Sequence, residues 1–101
     1  MRLNTCLQGS TFTAKISERM EFSDHTAFRT LLDDVSGSGA NQCVFDLSEL
    51  HSIDSSGLGM FMVAHETATN NGWSLCLKGP QGHVKALIEL GKFDKILEVV
   101  E

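Results

Sequence analysis

Hydrophobic and polar positions alternate with a period of two at the start of the chain, where Leu3 to Leu7 and Thr11 to Ile16 flank the turn-forming Gln8, Gly9 and Ser10. Thr-rich alternation of this kind suits a half-buried sheet, so the segment predicts an antiparallel hairpin. The period then lengthens. Ser23 is placed to cap a helix in which Phe28, Leu31, Leu32 and Val35 recur at i, i+3, i+4 and i+7, and Ser36, Gly37, Ser38 and Gly39 end it. Gln42 to Leu47 reads as a central apolar strand, followed by a polar loop through Ser48, Glu49 and His51. A second helix is expected from Ser55 to about Asn70, stopped by Asn70, Asn71 and Gly72. Trp73 to Lys78 reads as a strand. A short helix carrying Val84, Leu87 and Ile88 follows, with Gly91 as its C-terminal cap, and Ile96 to Val100 is expected to add an edge strand.

Strands alternating with helices predict an α/β fold, with a mixed sheet whose parallel strands are joined by right-handed helical crossovers. At 101 residues the chain is expected to form one domain over residues 1–101. With 42% hydrophobic and 21% charged residues it is far from the disordered regime. Eight Lys and Arg against thirteen Asp and Glu give a formal charge of −5, with no basic cluster. That balance argues against nucleic acid and anionic membrane as partners. No apolar run reaches the roughly 18 residues of a spanning helix, and the polar start from Met1 to Asn4 lacks a secretory signal's apolar stretch. A cytoplasmic protein is expected. Cys6, Cys43 and Cys76 form no CxxC pair and no Cys/His metal spacing, so they are expected to be buried, reduced thiols, and neither a metal nor a cofactor is expected.

The segment from Asp46 to Gly59 carries most of the information. Asp54, Ser55 and Ser56 stand before a strongly apolar helix, and their oxygens are suited to accept from the unpaired N–H groups of its first turn. Capping alone accounts for such a triplet. Gly57 and Gly59, however, each cost the helix about 1 kcal/mol relative to Ala. A reason for them is to leave the serine hydroxyls uncovered at the positive end of a helix dipole, where an added phosphate is tolerated. At 100° per residue, Leu58, Phe61, Met62, His65 and Thr69 form the expected core stripe. Met60 and Val63 then fall on the opposite face beside the serines, as a small exposed apolar patch suited to a protein partner, unless the helix is buried over more of its circumference.

Asp46-Leu47-Ser48 followed by Ile53-Asp54-Ser55-Ser56-Gly57-Leu58-Gly59 resembles the signature of the STAS domain, in particular of the bacterial anti-sigma factor antagonists. The likeness extends to Glu21, Phe22, His25, Thr26 and Ala27 and to the strand, turn and helix from Trp73 to Gly91. The resemblance implies a four- to five-stranded mixed sheet with helices packed on one side. It also implies a partner switch: a serine kinase that is itself the anti-sigma factor phosphorylates the first hydroxyl residue after the Asp, here Ser55, with Ser56 the alternative, and a PP2C-type phosphatase reverses this. Partner contacts are then expected from Glu21, Ser23, His25, Asp54, Ser56, Gly57, Gly59, Met60 and Val63. The chain departs from the pattern at Met20 and Ser23, where the family often has Gly and Asp. Family members commonly continue into a C-terminal helix, whereas this chain stops at Glu101; its last strand is expected to be an uncovered edge or a dimer contact, in a monomer or weak homodimer.

Two other functions compete. The resemblance to transporter-associated members implies a constitutive structural subunit whose serines only cap. A hydrolase would need Ser55 with one of His25, His51, His65 or His83 and an Asp, but no Gly-x-Ser-x-Gly is present, and an enzyme is not expected. His51 and His25 are read as surface residues, His65 as a hydrogen-bonded member of the core stripe, and His83 as a cap-region residue.

Overall fold

A computed structural model describes all residues, 1–101. A two-residue turn at Gly9 and Ser10 closes the first hairpin between β1 (Arg2–Gln8) and β2 (Thr11–Met20), with Gly9 at φ 60°. A positive φ at the first turn position alone is the type II′ geometry that Gly adopts without strain. β3 (Gln42–Asp46), β4 (Leu50–Ile53), β5 (Ser74–Lys78) and β6 (Glu98–Val100) complete a six-stranded mixed sheet. The main path runs β1-β2-β3-β5-β6, antiparallel at the first pair and parallel beyond it.

β4 lies off this path. Thr11 to Lys15 of β2 pair with β3, whereas Glu18 to Met20 pair with β4, and the register shifts between Glu18 and Arg19. Glu18 takes φ 71° there. A bulge of this kind bends a strand, and it lets β2 leave one neighbour and pair with another. The stretch read as a polar loop through His51 is therefore partly a strand. Its apolar content is confined to Leu50 and Ile53 at its two ends, with His51 exposed between them.

Three helices connect the parallel strands: α1 (His25–Gly37), α2 (Ser55–Asn71) and α3 (Gly82–Leu90). β2 and β3 bury alternate residues, Phe12, Ala14 and Ile16 in one and Cys43 and Phe45 in the other, so one sheet face is covered and the other is open. The centre of the core is an aromatic triad with one ring from the sheet and two from the helices that cover it: Phe45 of β3, Phe28 of α1 and Phe61 of α2. Their centroids lie 5.6 to 6.3 Å apart, within the range of favourable edge and tilted contacts. The expected stripe of α1 is buried in full. Trp73, at the end of α2, is buried and donates its indole N–H to Ser36 Oγ of α1 at 3.1 Å.

Several local expectations are corrected. Ser23 does not cap α1, because a turn of 3-10 helix, Phe22–Asp24, intervenes; Asp24 occupies the cap position, and its carboxylate accepts from the Glu21 N–H at 2.8 Å. Cys6 is exposed on β1, whereas Cys43 and Cys76 are buried, and burial pushes the Cys43 thiol up to about 12. Gly91 does end α3, but at φ −82°; the left-handed residue is Lys92, and Gly91 is required because a Cβ would meet the Phe93 ring at 2.5 Å.

Candidate functional site

The site begins where β4 hands over to α2. Asp54 is extended, and its carboxylate accepts from the Gly57 N–H at 2.9 Å, so Asp54 rather than either serine supplies the side-chain cap. Ser55 follows as the first helical residue and is exposed; Ser56 is half-buried. Both N–H groups lie in the opening turn, whose donors have no helical acceptor and whose dipole favours negative charge.

The two early glycines have different surroundings. Gly57 is buried, and a Cβ there would lie 2.4 Å from Ile53 Cγ1 and 3.2 Å from the Met20 carbonyl oxygen. The reading of this glycine as a means of uncovering the serines is therefore replaced by close packing of α2 on β4 and the end of β2. Gly59 is exposed, and a Cβ there would meet nothing within 4 Å.

The buried stripe of α2 is Gly57, Met60, Phe61, Ala64 and Ala68. It is turned by about a quarter of the circumference from the stripe read in the sequence. Leu58, Met62 and His65 are only half-buried, and Thr69 is exposed. Ala64 and Ala68 carry little hydrophobic weight, yet their small side chains face the core, which pulled the true stripe out of view. Met60 is accordingly 5% exposed, so the paired patch expected from Met60 and Val63 is corrected: Val63, at 43%, is the exposed member.

A groove of about 300 Å³ opens on this flank, lined by Phe22, His25, Ser56, Gly59, Met60 and Val63. It joins five of the expected contact residues across two segments far apart in sequence. Phe22 is 71% exposed and its ring stacks on His25 with centroids 6.1 Å apart. A large exposed aromatic ahead of an amphipathic helix was the available signal for it, since the helical phase of α1 leaves Phe22 outside the core. Asp54 and Ser55 sit at the start of α2, outside the groove; the exposed Glu21 and Ser23, ahead of α1, also lie outside it, and Gly57 points away from it. A second cavity, about 240 Å³, lies at the far end of α2 around His65, Trp73, Ile96 and Glu98 and includes none of the expected contact residues. No helix is long and apolar enough to cross a membrane.

The sequence profile described as "Mlab, STAS domain" matches residues 4–100. Among curated proteins, none matches the sequence. Among solved structures, the chain is similar to the Thermotoga maritima protein TM1081, a candidate anti-sigma factor antagonist, with TM-score 0.88, 19% identity and coverage of 98% of this chain and 86% of that one. An anti-sigma factor antagonist from Mycobacterium paratuberculosis gives 0.85 at 15% identity, covering 98% and 84%. The anti-sigma factor antagonist SpoIIAA, in its unphosphorylated form and, from Bacillus, in its phosphorylated form, gives 0.74 at 11% identity over 99% of this chain and 87% or 92% of SpoIIAA. At these identities the likeness establishes the fold.

Proposed function

The chain belongs to the STAS-domain family, and on that premise we propose that it is an anti-sigma factor antagonist, a binding module switched by phosphorylation of Ser55. The observation that carries this reading is the adjacency of an exposed hydroxyl at the first turn of α2 to an apolar groove built from two segments. The unmodified protein binds a switch-type serine kinase, which is also the anti-sigma factor, and so frees that kinase's other client. ATP is bound by the kinase, and a PP2C-type phosphatase restores the hydroxyl. Support comes from the fold shared with anti-sigma factor antagonists, one of which exists in unphosphorylated and phosphorylated forms.

Phosphorylation adds about −1.5 to −2 charges beside Asp54 at the edge of the docking surface. The switch needs no refolding. The modified group stays at a helix N-terminus, which favours anions, while a partner that covers it must strip its water. A thousandfold loss of affinity corresponds to only about 4 kcal/mol.

The test uses a purified switch-type kinase with wild type, Ser55→Ala and Ser55→Asp. Incubation with ATP adds about 80 Da to wild type and nothing to Ser55→Ala. Ser55→Ala still binds the kinase, and Ser55→Asp loses binding while melting within about 0.3–1 kcal/mol of wild type. Modification confined to Ser56 overturns the assignment of Ser55. Equal binding by all three proteins, with no mass change, identifies instead the constitutive structural subunit.

A further inference from the structure

The sheet has two edges, and they are built differently. β6 is three residues long, and Glu98 and the adjacent Glu101 put negative charge on it. Short length and charge are the usual protection against edge-to-edge pairing. β1 is seven residues long, contains no proline, and carries one charge, Arg2, at its end. Its bulge-free register with β2 leaves the opposite side of the strand without a neighbour.

The hairpin fixes which amides face outward. Gln8 and Thr11 close the two-residue turn as a hydrogen-bonded pair, and such pairs recur at every second residue. Arg2, Asn4, Cys6 and Gln8 therefore point their backbone groups at β2, and Leu3, Thr5 and Leu7 point theirs away. The side chains of these three share the face of their partners Ile16, Ala14 and Phe12, which is the helix-covered face. Leu3 packs against the core, whereas Leu7 remains 48% exposed.

We propose that the free edge of β1 is a self-association surface, where a second copy of this chain pairs antiparallel about a two-fold axis through Thr5. In that register Thr5 opposes its own counterpart and Leu3 opposes Leu7 at both ends. All three outward-facing residues of each strand are used in hydrogen-bonded pairs. Moving the axis by one residue in either direction pushes an end pair off the strand, onto Met1 or Gly9. The exposed Leu7 gains an apolar cross-strand neighbour, and Arg2 opposes the neutral Gln8, so no like charges meet within the strand pair. Asn4 opposes Cys6 in a non-hydrogen-bonded pair, where Cα atoms are about 4.5 Å apart and side chains are closest. An isologous contact of this kind is self-complementary and closes at two copies. It is independent of Ser55 and its groove.

Sedimentation of wild type is expected to show a species of twice the 11.0 kDa chain mass. Thr5→Pro removes only an outward N–H and sparing the β1–β2 ladder is expected to keep the fold, so it should run as a monomer with an unchanged dilute-solution melt. Leu7→Lys, a second variant, is expected to weaken the dimer at least tenfold. Asn4→Cys reads the register: with diamide as oxidant, each introduced thiol and the partner's Cys6 lose their protons and two electrons to the diazene, forming a disulfide-linked dimer. Wild type crosslinks far less. The proposal is overturned if wild type stays at single-chain mass up to about 1 mM, if folded Thr5→Pro remains dimeric, or if Asn4→Cys crosslinks no faster than wild type.

Discussion

Gly57 and Gly59 lie two residues apart in the same helix, and the surfaces they face are opposites. Gly57 is pressed against Ile53 and the Met20 carbonyl, so its missing Cβ is what allows α2 to sit down on the sheet. Gly59 faces open space on the groove side. Two residues of one helix are about 200° apart, so the first glycine answers to packing and the second has no packing reason at all. Gly59 therefore costs α2 helix propensity that no contact within the molecule repays.

Phe61→Ala gives the largest effect on the packed flank. Phe61 is fully buried in the aromatic triad, and its truncation is expected to remove about 3–5 kcal/mol of stability, read by denaturant unfolding. Gly57→Ala comes next. The new methyl must displace a buried isoleucine and a backbone carbonyl, and about 1–3 kcal/mol of overpacking outweighs the improved helix propensity. A melt at or above that of wild type would break the contrast. Gly59→Ala has the opposite sign: it is expected to stabilise the fold by about 0.5–1 kcal/mol and, on the proposed function, to weaken kinase binding by filling the groove. Stability and binding moving together would remove the groove from the docking surface.

The smallest effect lies on the open face of the sheet and leaves both glycines untouched. Asp46 stands in register between Lys15 and Lys78, and its carboxylate accepts from the Ser48 hydroxyl at 2.7 Å and the Ser48 N–H at 3.0 Å. Partial burial pushes its pKa up, but Ser48 and the two lysines outweigh this and leave it below the ordinary carboxylate value. Its stabilising contribution is therefore present above the unfolded pKa of about 3.9 and is lost as pH falls through the lower folded value. Asp46→Asn should be less stable than wild type at neutral pH, with the gap closing in acid. A gap constant from pH 7 to acid would exclude the charge as its origin.

The contrast also marks what the sequence made legible. The stripe of α1 stood out because four large apolar residues repeat at helical spacing, and α2 was bounded by Asp54 and by Gly72, which takes the left-handed conformation at its end. The phase of α2 did not stand out, because its buried side includes Gly57, Ala64 and Ala68, whose small size lets the helix approach its neighbours but registers weakly as hydrophobicity. β4 was hidden for a different reason. Its membership of the sheet depends on the backbone of β2 beyond the bulge at Glu18, a pairing that no local pattern encodes. The serine end of the candidate site was readable as a motif, whereas the contribution of Phe22 emerged only once the 3-10 turn set it beside Val63.

The single tryptophan gives the molecule an internal optical gauge. Trp73 lies just past the end of a 17-residue helix, about 25 Å along its axis from Ser55, and its indole is buried and tied to Ser36. Its emission reports whether the sheet, α1 and the far end of α2 remain together, and it is remote from events at the serine. Unfolding exposes the ring to water and moves the emission to the red. Docking of a tryptophan-free partner at the groove leaves the wavelength where it was, so one spectrum separates a protein that has lost its partner from one that has lost its fold.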